Sequence, residues 1–280
     1  MHPSTSPAVG READPGRDPS VPASFAAVGI IPARLSSTRL PEKALQDLGG
    51  APLVVRVLER ARRASLLRDV LVATDSERIA AAVRAAGARA IPTRRDHETG
   101  LDRVAEAARA LRDAGEISSG DVIVDIQGDE PFVSLDGIGA MVALLADRDV
   151  RIATLAAPFP PGDDPADPDR VKVVADGQGR ALYFSRARIP YGRTGGSAAA
   201  VGPAPLLHVG LYALRFDALQ ELAALPPCEL ERTERLEQLR ALWHGLPIHV
   251  AFGDYHSYGV DTAADLERAR RTWGERRGSG

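Results

Sequence analysis

One cysteine, Cys228, is too few for an intrachain disulfide or a cysteine-built metal centre. Read as a small buried hydrophobe, it suits a chain kept in a reducing cytoplasm. Long apolar runs are missing too. None approaches the roughly 20 residues of a membrane-spanning helix, and the opening "MHPSTSPAVGREADPGRDPSVPAS" has no hydrophobic stretch for a signal peptide. Neither sign of charge dominates: 35 Lys and Arg stand against 38 Asp and Glu, a formal net of −3. Nothing therefore marks the whole surface for nucleic acid, and a local basic cluster carries more information than it would on a basic protein. Several signatures are also absent. There is no G-x-x-x-x-G-K-[ST], no G-x-G-x-x-G, no G-x-S-x-G, no Ser-His-Asp motif, no zinc-ligand spacing and no internal repeat.

What is present is an alternation. Residues 1–26 are rich in Pro, Gly, Ser and charge and read as a disordered extension. "AVGIIPA" is then a continuous apolar run, as expected of a strand buried on both faces of a parallel sheet. "LVVRVLERARRA" follows a "GGAP" turn with apolar residues at helical spacing, and Pro at its start suits a helix entry. "DVLVATD" is a second strand. "SERIAAAVRAAG" is a second helix with Ser76 as N-cap and Gly87 as stop. "ARAIPT", "GLDRVAEAARAL" and "DVIVDIQGD" continue the series as strand, helix and strand. The class is α/β, with right-handed βαβ units and a parallel sheet over 27–150.

Beyond Asp149 the texture becomes mixed. "RIATLAAPF", "VKVVADGQGRALYFSR" with a hairpin turn at "ADGQG", and "HVGLYALR" read as strands. "CELERTERLEQLRALWHG" reads as one long helix closed by Gly245, followed by strand "PIHVAF" and a helix from "TAADLERARR". This half, 151–271, is expected to close over the first, and 272–280 to be a frayed end.

The chemistry concentrates where strands end. "VGIIPARLSSTRLPEKAL" empties a buried strand into a loop holding Arg34, Arg39 and Lys43, with Ser36, Ser37 and Thr38 between them. In open α/β sheets ligands sit beyond the carboxyl ends of the strands, so these cations, with backbone amides, suit a polyanion such as phosphate. "VDIQGDEP" puts Asp129 at one strand exit and "YGVDTAADL" puts Asp261 at another. Two such aspartates, with phosphate oxygens and water, are what an octahedral Mg²⁺ takes. Asp261 and Thr262 also read as helix-entry residues, and Asp75 of "VATD" as a cap. Further polar groups gather in "TRRDHETGLDR" (Arg94, Arg95, His97, Asp102, Arg103), "FSRARIPYGR" (Ser185, Arg186), "LHVGLY" (His208, Tyr212) and "LEQLR" (Glu237, Gln238). Residue types and spacing support a Mg²⁺-dependent nucleotide enzyme.

Taken together and in order, "IIPARLSSTRLPEKAL", "VATD", "TRRDHETG", "QGDEP", "VKVV", "ALYFSRARIPY", "HVGLYALR", "LEQLRALWHG" and "VDTAADL" resemble the CMP-Kdo synthetases (3-deoxy-manno-octulosonate cytidylyltransferases) from about Val28 to Arg270. The resemblance implies a Rossmann-like nucleotidyltransferase fold, with a mostly parallel central sheet and a smaller mixed α/β region for acceptor binding and homodimer formation. It implies that Arg34, Arg39 and Lys43 cradle the CTP triphosphate, with Arg34, Lys43 and Asp129 catalytic. Arg94 would lie beside the nucleoside with the backbone near Pro32 and Ala33. Asp129 and Asp261 would hold Mg²⁺. Gln127, Arg186, His208, Tyr212, Glu237 and Gln238 would line the acceptor pocket. The reaction implied is attack of an acceptor oxygen on the α-phosphorus of CTP, releasing pyrophosphate without a covalent enzyme intermediate.

Two acceptor-side positions depart from the family's usual pattern: Leu101 where threonine is usual, and Leu207 where arginine is usual. The acceptor is thus expected to be a small anionic acid. Kdo or a related 2-keto sugar acid is the family default, and a phosphonate such as phosphonoformate is the alternative. A non-catalytic nucleotide-binding paralogue is the remote one.

Overall fold

The computed structural model describes residues 27–37, 39–192, 204–255 and 257–278. The N-terminal extension, Thr38, most of the small-residue loop between Gly192 and Pro205, and the last two residues lie outside it. Strand β1 (Ala27–Ala33) is buried almost throughout because it pairs in parallel with two neighbours, β2 (Leu67–Thr74) and β4 (Val122–Asp125). Strand β3 (Ala90–Pro92) extends the parallel set beyond β2. Helices α1 (Leu53–Ala61), α2 (Glu77–Ala85) and α3 (Gly100–Asp113) make the crossovers. Ser76 caps α2 by accepting from the Ile79 amide, and Gly87 ends it at φ +68°.

In the second half, β5 (Ile152–Pro158), β8 (Leu206–Arg215) and β9 (His249–Phe252) join the same sheet, giving the order β3-β2-β1-β4-β8-β5-β9. Strand β8 runs antiparallel between β4 and β5, and this brings the two halves of the chain into one sheet. Strands β6 (Lys172–Ala175) and β7 (Ala181–Ser185) form the expected hairpin, with Gly179 at φ +76° in its turn, and β6 reaches β8. Helices α4 (Leu135–Leu144) and α5 (Phe216–Ala224) were not distinct in the sequence pattern. Glycines within "LDGIGAMVAL" blur the helical period of α4.

Two expectations need correcting. The segment read as one long helix is α6 (Glu229–Glu234) and α7 (Gln238–Trp243), separated at Arg235, which adopts φ +55°. The break lets the buried Arg240 guanidinium turn back to grip Glu231 through two hydrogen bonds of 2.6 and 2.9 Å. Cys228 is buried as expected, and it also caps α6 through Sγ. The C-terminal segment is not a frayed end from residue 272, because α8 (Ala263–Gly278) continues through it. Trp273 anchors it, 6.2 Å from the Phe132 ring and under the Arg56 guanidinium. Among the described residues no helix is long and apolar enough to cross a membrane.

Candidate active site

The carboxyl ends of β1 and β4 open into a cleft of about 400 Å³. Its walls include Pro32 and Ala33 from the end of β1, Arg34, Arg39 and Lys43 from the loop beyond, Gln127 and Asp129 after β4, and Asp261 before α8. The two strand exits pass so close that a Cβ on Gly128 would sit 2.8 Å from the Pro32 carbonyl oxygen, so only glycine fits without a backbone shift. Lys43, on a short 3₁₀ turn (Lys43–Leu45), donates to Asp129 and, at 2.9 Å, to Asp261. Arg39 adds an ion pair to Asp261 at 3.0 Å. Burial alone would lower the Lys43 ammonium, but the two carboxylates outweigh it and hold its pKa above the ordinary lysine range. Beside them burial and the Asp129 charge push the Glu130 carboxyl up to about 7, although it accepts from the Ser257 hydroxyl.

Asp261 is not the cap of α8. Thr262 takes that part, accepting from the Asp265 amide at 3.1 Å and donating to the Asp265 carboxylate. The Asp261 carboxylate is thereby left facing Lys43 and Arg39. No group of three or more His, Cys, Asp or Glu side chains able to hold a metal occurs among the described residues. Two carboxylates converging on one ammonium make a sparse, all-oxygen donor set around a place already suited to positive charge. That fits Mg²⁺, which keeps several waters and takes one or two carboxylates together with substrate phosphates.

Arg94 does not line this cleft. The backbone after β3 is extended, so side chains alternate: Thr93 turns inward and is buried, while Arg94 is exposed, 3.7 to 3.8 Å from Asp96 and Glu106. The buried guanidinium in the cleft wall is Arg103 on α3, which donates to Thr93 and to the Arg94 carbonyl and lies 3.5 Å from Asp75. Asp75 therefore pairs with Arg103 rather than capping α2. His97, also in the wall, pairs with Glu106.

A second cavity of about 270 Å³ adjoins the first, and His208, Tyr212, Glu237 and Gln238 all line it. Asp125 on β4 and Tyr212 on β8 line it as sheet partners, and Thr154 on β5 pairs with Tyr212 from the other side, beneath the lining. Thr154 Oγ1 donates to the Leu211 carbonyl at 2.7 Å and lies 2.9 Å from His208 Nε2, with Tyr212 Oη 3.2 Å from the same nitrogen. Burial pushes the His208 imidazole down to about 3, so it is neutral. Burial, then the Glu237 and Asp125 charges, raises the Tyr212 phenol. Glu237 keeps solvent contact at the mouth, yet the protein around it and the facing Asp102 raise its carboxyl.

Arg186 lies in neither cavity. Its guanidinium is engaged by the carbonyls of Glu234 and Pro168, at 2.7 and 2.9 Å, beyond the end of β7. Of the two departures noted above, Leu101 lines the second cavity, whereas Leu207 is buried on β8 outside it. Asp125 escaped the sequence reading because a carboxylate ending "VIVD" looks like an ordinary strand exit. The signal was its place before two further residues of the same run, Ile126 and Gln127, rather than after them. The cavities meet at the end of β4, where Gln127 of the cleft donates to Asp125 of the second cavity at 3.4 Å, and at the first turn of α3, where Gly100 faces one and Leu101 the other.

The chain as a whole has relatives among known proteins. The family model described as Cytidylyltransferase matches residues 28–248. The chain belongs to that family. Within it, the chain is 51% identical over 241 residues to the 3-deoxy-manno-octulosonate cytidylyltransferase of Syntrophobacter fumaroxidans, covering 86% of this chain and 94% of that protein. It is 46% identical over 269 residues to the protein of the same name from Leptothrix cholodnii, covering 94% and 97%. A solved CMP:2-keto-3-deoxy-manno-octonic acid synthetase complexed with CTP superposes with a TM-score of 0.81 at 38% identity, covering 90% of this chain and 99% of that one. A 4-diphosphocytidyl-2C-methyl-D-erythritol synthase shares the fold at a TM-score of 0.59 and 13% identity. The membership makes this chain a CTP-dependent nucleotidyltransferase of the CMP-Kdo synthetase type, with the expected mixed α/β fold.

Proposed function

We propose that the chain transfers CMP from CTP to 3-deoxy-manno-octulosonate or a closely related 2-keto sugar acid, releasing pyrophosphate. The observation that carries this reading is the junction of the two cavities at Gln127 and Gly100. One side offers cations and paired carboxylates, and the other offers neutral and acidic hydrogen-bonding groups. Arg34, Arg39 and Lys43 bind the triphosphate and neutralise its charge, the main protein contribution to transfer at phosphorus. Asp129 and Asp261 would hold Mg²⁺, which when bound offsets charge on the phosphates and the leaving pyrophosphate. Tyr212, His208, Glu237 and Gln238 orient the acceptor so that its hydroxyl oxygen meets the α-phosphorus. A new P–O bond forms, the bond to pyrophosphate breaks with its electron pair leaving on the pyrophosphate oxygen, and the hydroxyl proton passes to solvent. No side chain need become covalently attached.

The second cavity spreads separate hydrogen-bonding groups, Tyr212, His208, Glu237 and Gln238, around its wall, which favours a polyhydroxylated acid over a compact phosphonate. The reading includes a homodimer: Leu182, Tyr191, Trp243 and Phe252, all in the second half, are large apolar side chains left exposed. Pyrophosphate release is to be measured with CTP and Mg²⁺ against Kdo, phosphonoformate and no acceptor, with UTP as control. Turnover with Kdo and CTP supports the proposal. Turnover with phosphonoformate alone, or with neither acceptor, overturns it. Light scattering decides the dimer.

A further inference from the structure

We propose that Asp125 selects the acceptor, donating rather than accepting the hydrogen bond that holds an acidic acceptor in the second cavity. The inference rests on the functional reading above and adds a residue to it. Asp125 is 3% exposed on the cavity floor and is fixed there by the β4–β8 register opposite Tyr212. Among the described residues it makes no ion pair, and its hydrogen bond from Gln127 Nε2 is long at 3.4 Å. The groups facing it offer no cation at contact. Gln127 and Glu130 come from its own loop, Tyr212 and the neutral His208 from β8, and Glu237 from the start of α7. Arg235, between α6 and α7, lines the cavity from its exposed mouth.

A carboxylate enclosed in this way is costly, and taking up a proton removes the cost. Burial first, then the Glu237 and Glu130 charges, push the Asp125 carboxyl up to about 8. At neutral pH it is therefore an acid with one O–H to give. An entering anion meets a donor in place of a repelling charge. Above pH 8 the donor is lost and the carboxylate repels the acceptor. The apparent acceptor KM then rises as the protonated fraction falls, about tenfold by pH 9, while the KM for CTP, set in the other cavity, does not follow.

The test is the acceptor KM and the CTP KM of wild type and Asp125→Asn from pH 6.5 to 9.5, using the full chain with Mg²⁺, CTP and Kdo. Asparagine keeps the shape and an N–H donor without titrating. The expected result is that the alkaline rise of the acceptor KM, about tenfold between pH 7 and pH 9 in wild type, is abolished in Asp125→Asn, with the CTP KM unmoved. A large loss of acceptor affinity at pH 7 with the alkaline rise retained would overturn the proposal, since it would mean that the carboxylate itself is required. A second measurement needs no acceptor: the infrared difference between wild type and Asp125→Asn at pH 7 should contain the C=O stretch of a protonated carboxylic acid. Its absence would also overturn the proposal. If wild type does not turn over Kdo, the functional reading fails instead, and the infrared band alone decides the state of Asp125.

Discussion

The Lys43 ammonium donates to the Asp261 carboxylate at 2.9 Å across 218 positions of sequence, and to Asp129 across 86. A single cation from the loop after β1 thus joins the end of the central sheet to the entry of the last helix. It stands between the two carboxylates assigned above to Mg²⁺. On that proposal, a metal entering here would compete with the Lys43 ammonium for both carboxylates.

That competition is measurable without catalysis. In nucleotide-free protein, Lys43→Met should bind Mn²⁺, used as a probe for Mg²⁺, about tenfold more tightly than wild type. Even ~1.4 kcal/mol of ammonium–carboxylate attraction is worth that factor. Electron paramagnetic resonance titration of free Mn²⁺ reads it directly. Equal affinities would show that the ammonium does not hold the metal position.

Asp129→Asn keeps the size of the side chain and removes its charge. Turnover should fall about 100-fold or more, on the scale of losing one preorganised electrostatic contact. The melting temperature should stay near that of wild type because the residue is only partly buried. Near-normal kcat would remove Asp129 from the machinery.

The Glu231–Arg240 pair carries a different consequence, one for stability. Both side chains are nearly fully buried and they meet in a two-pronged contact. Arg240→Met should destabilise by about 3–5 kcal/mol, because it leaves a buried carboxylate without its cation, with only the Cys228 amide, among the described residues, still donating to it. Replacing both residues with apolar ones should recover much of that loss. Urea unfolding of the two variants gives the comparison, and a loss below ~1 kcal/mol for Arg240→Met would contradict the burial argument.

The parts of this molecule legible in its sequence are those governed by local rules. "AVGIIPA" announces a strand buried on both faces, Ser76 and Gly87 bracket α2, and the cations after β1 announce an anion. What escaped depends on closure in space. The helical period runs on through Arg235, so nothing local signals the break that joins Arg240 to Glu231. Arg94 and Arg103 are equivalent as letters, and only the extended path after β3 turns one outward while α3 carries the other in. Asp125 gains its meaning from Tyr212, its neighbour in the sheet because β8 inserts between β4 and β5, an arrangement that no short-range pattern encodes.

His208 should make the protein sensitive to acid. Its pKa is pushed down to about 3 by burial, from 6.5 in an unperturbed imidazole. As pH falls below 6.5 the unfolded chain binds the proton and the folded one does not. The stability linked to this site is therefore complete above that value and declines toward pH 3. By pH 5 the loss is about 1–2 kcal/mol, since each pKa unit is worth about 1.4 kcal/mol. His208→Gln retains an N–H for Thr154 but cannot titrate. It should lower stability at pH 7 and shrink the difference in urea midpoint between pH 7 and pH 5. If the variant and wild type lose the same stability over that interval, the acid sensitivity comes from groups other than His208.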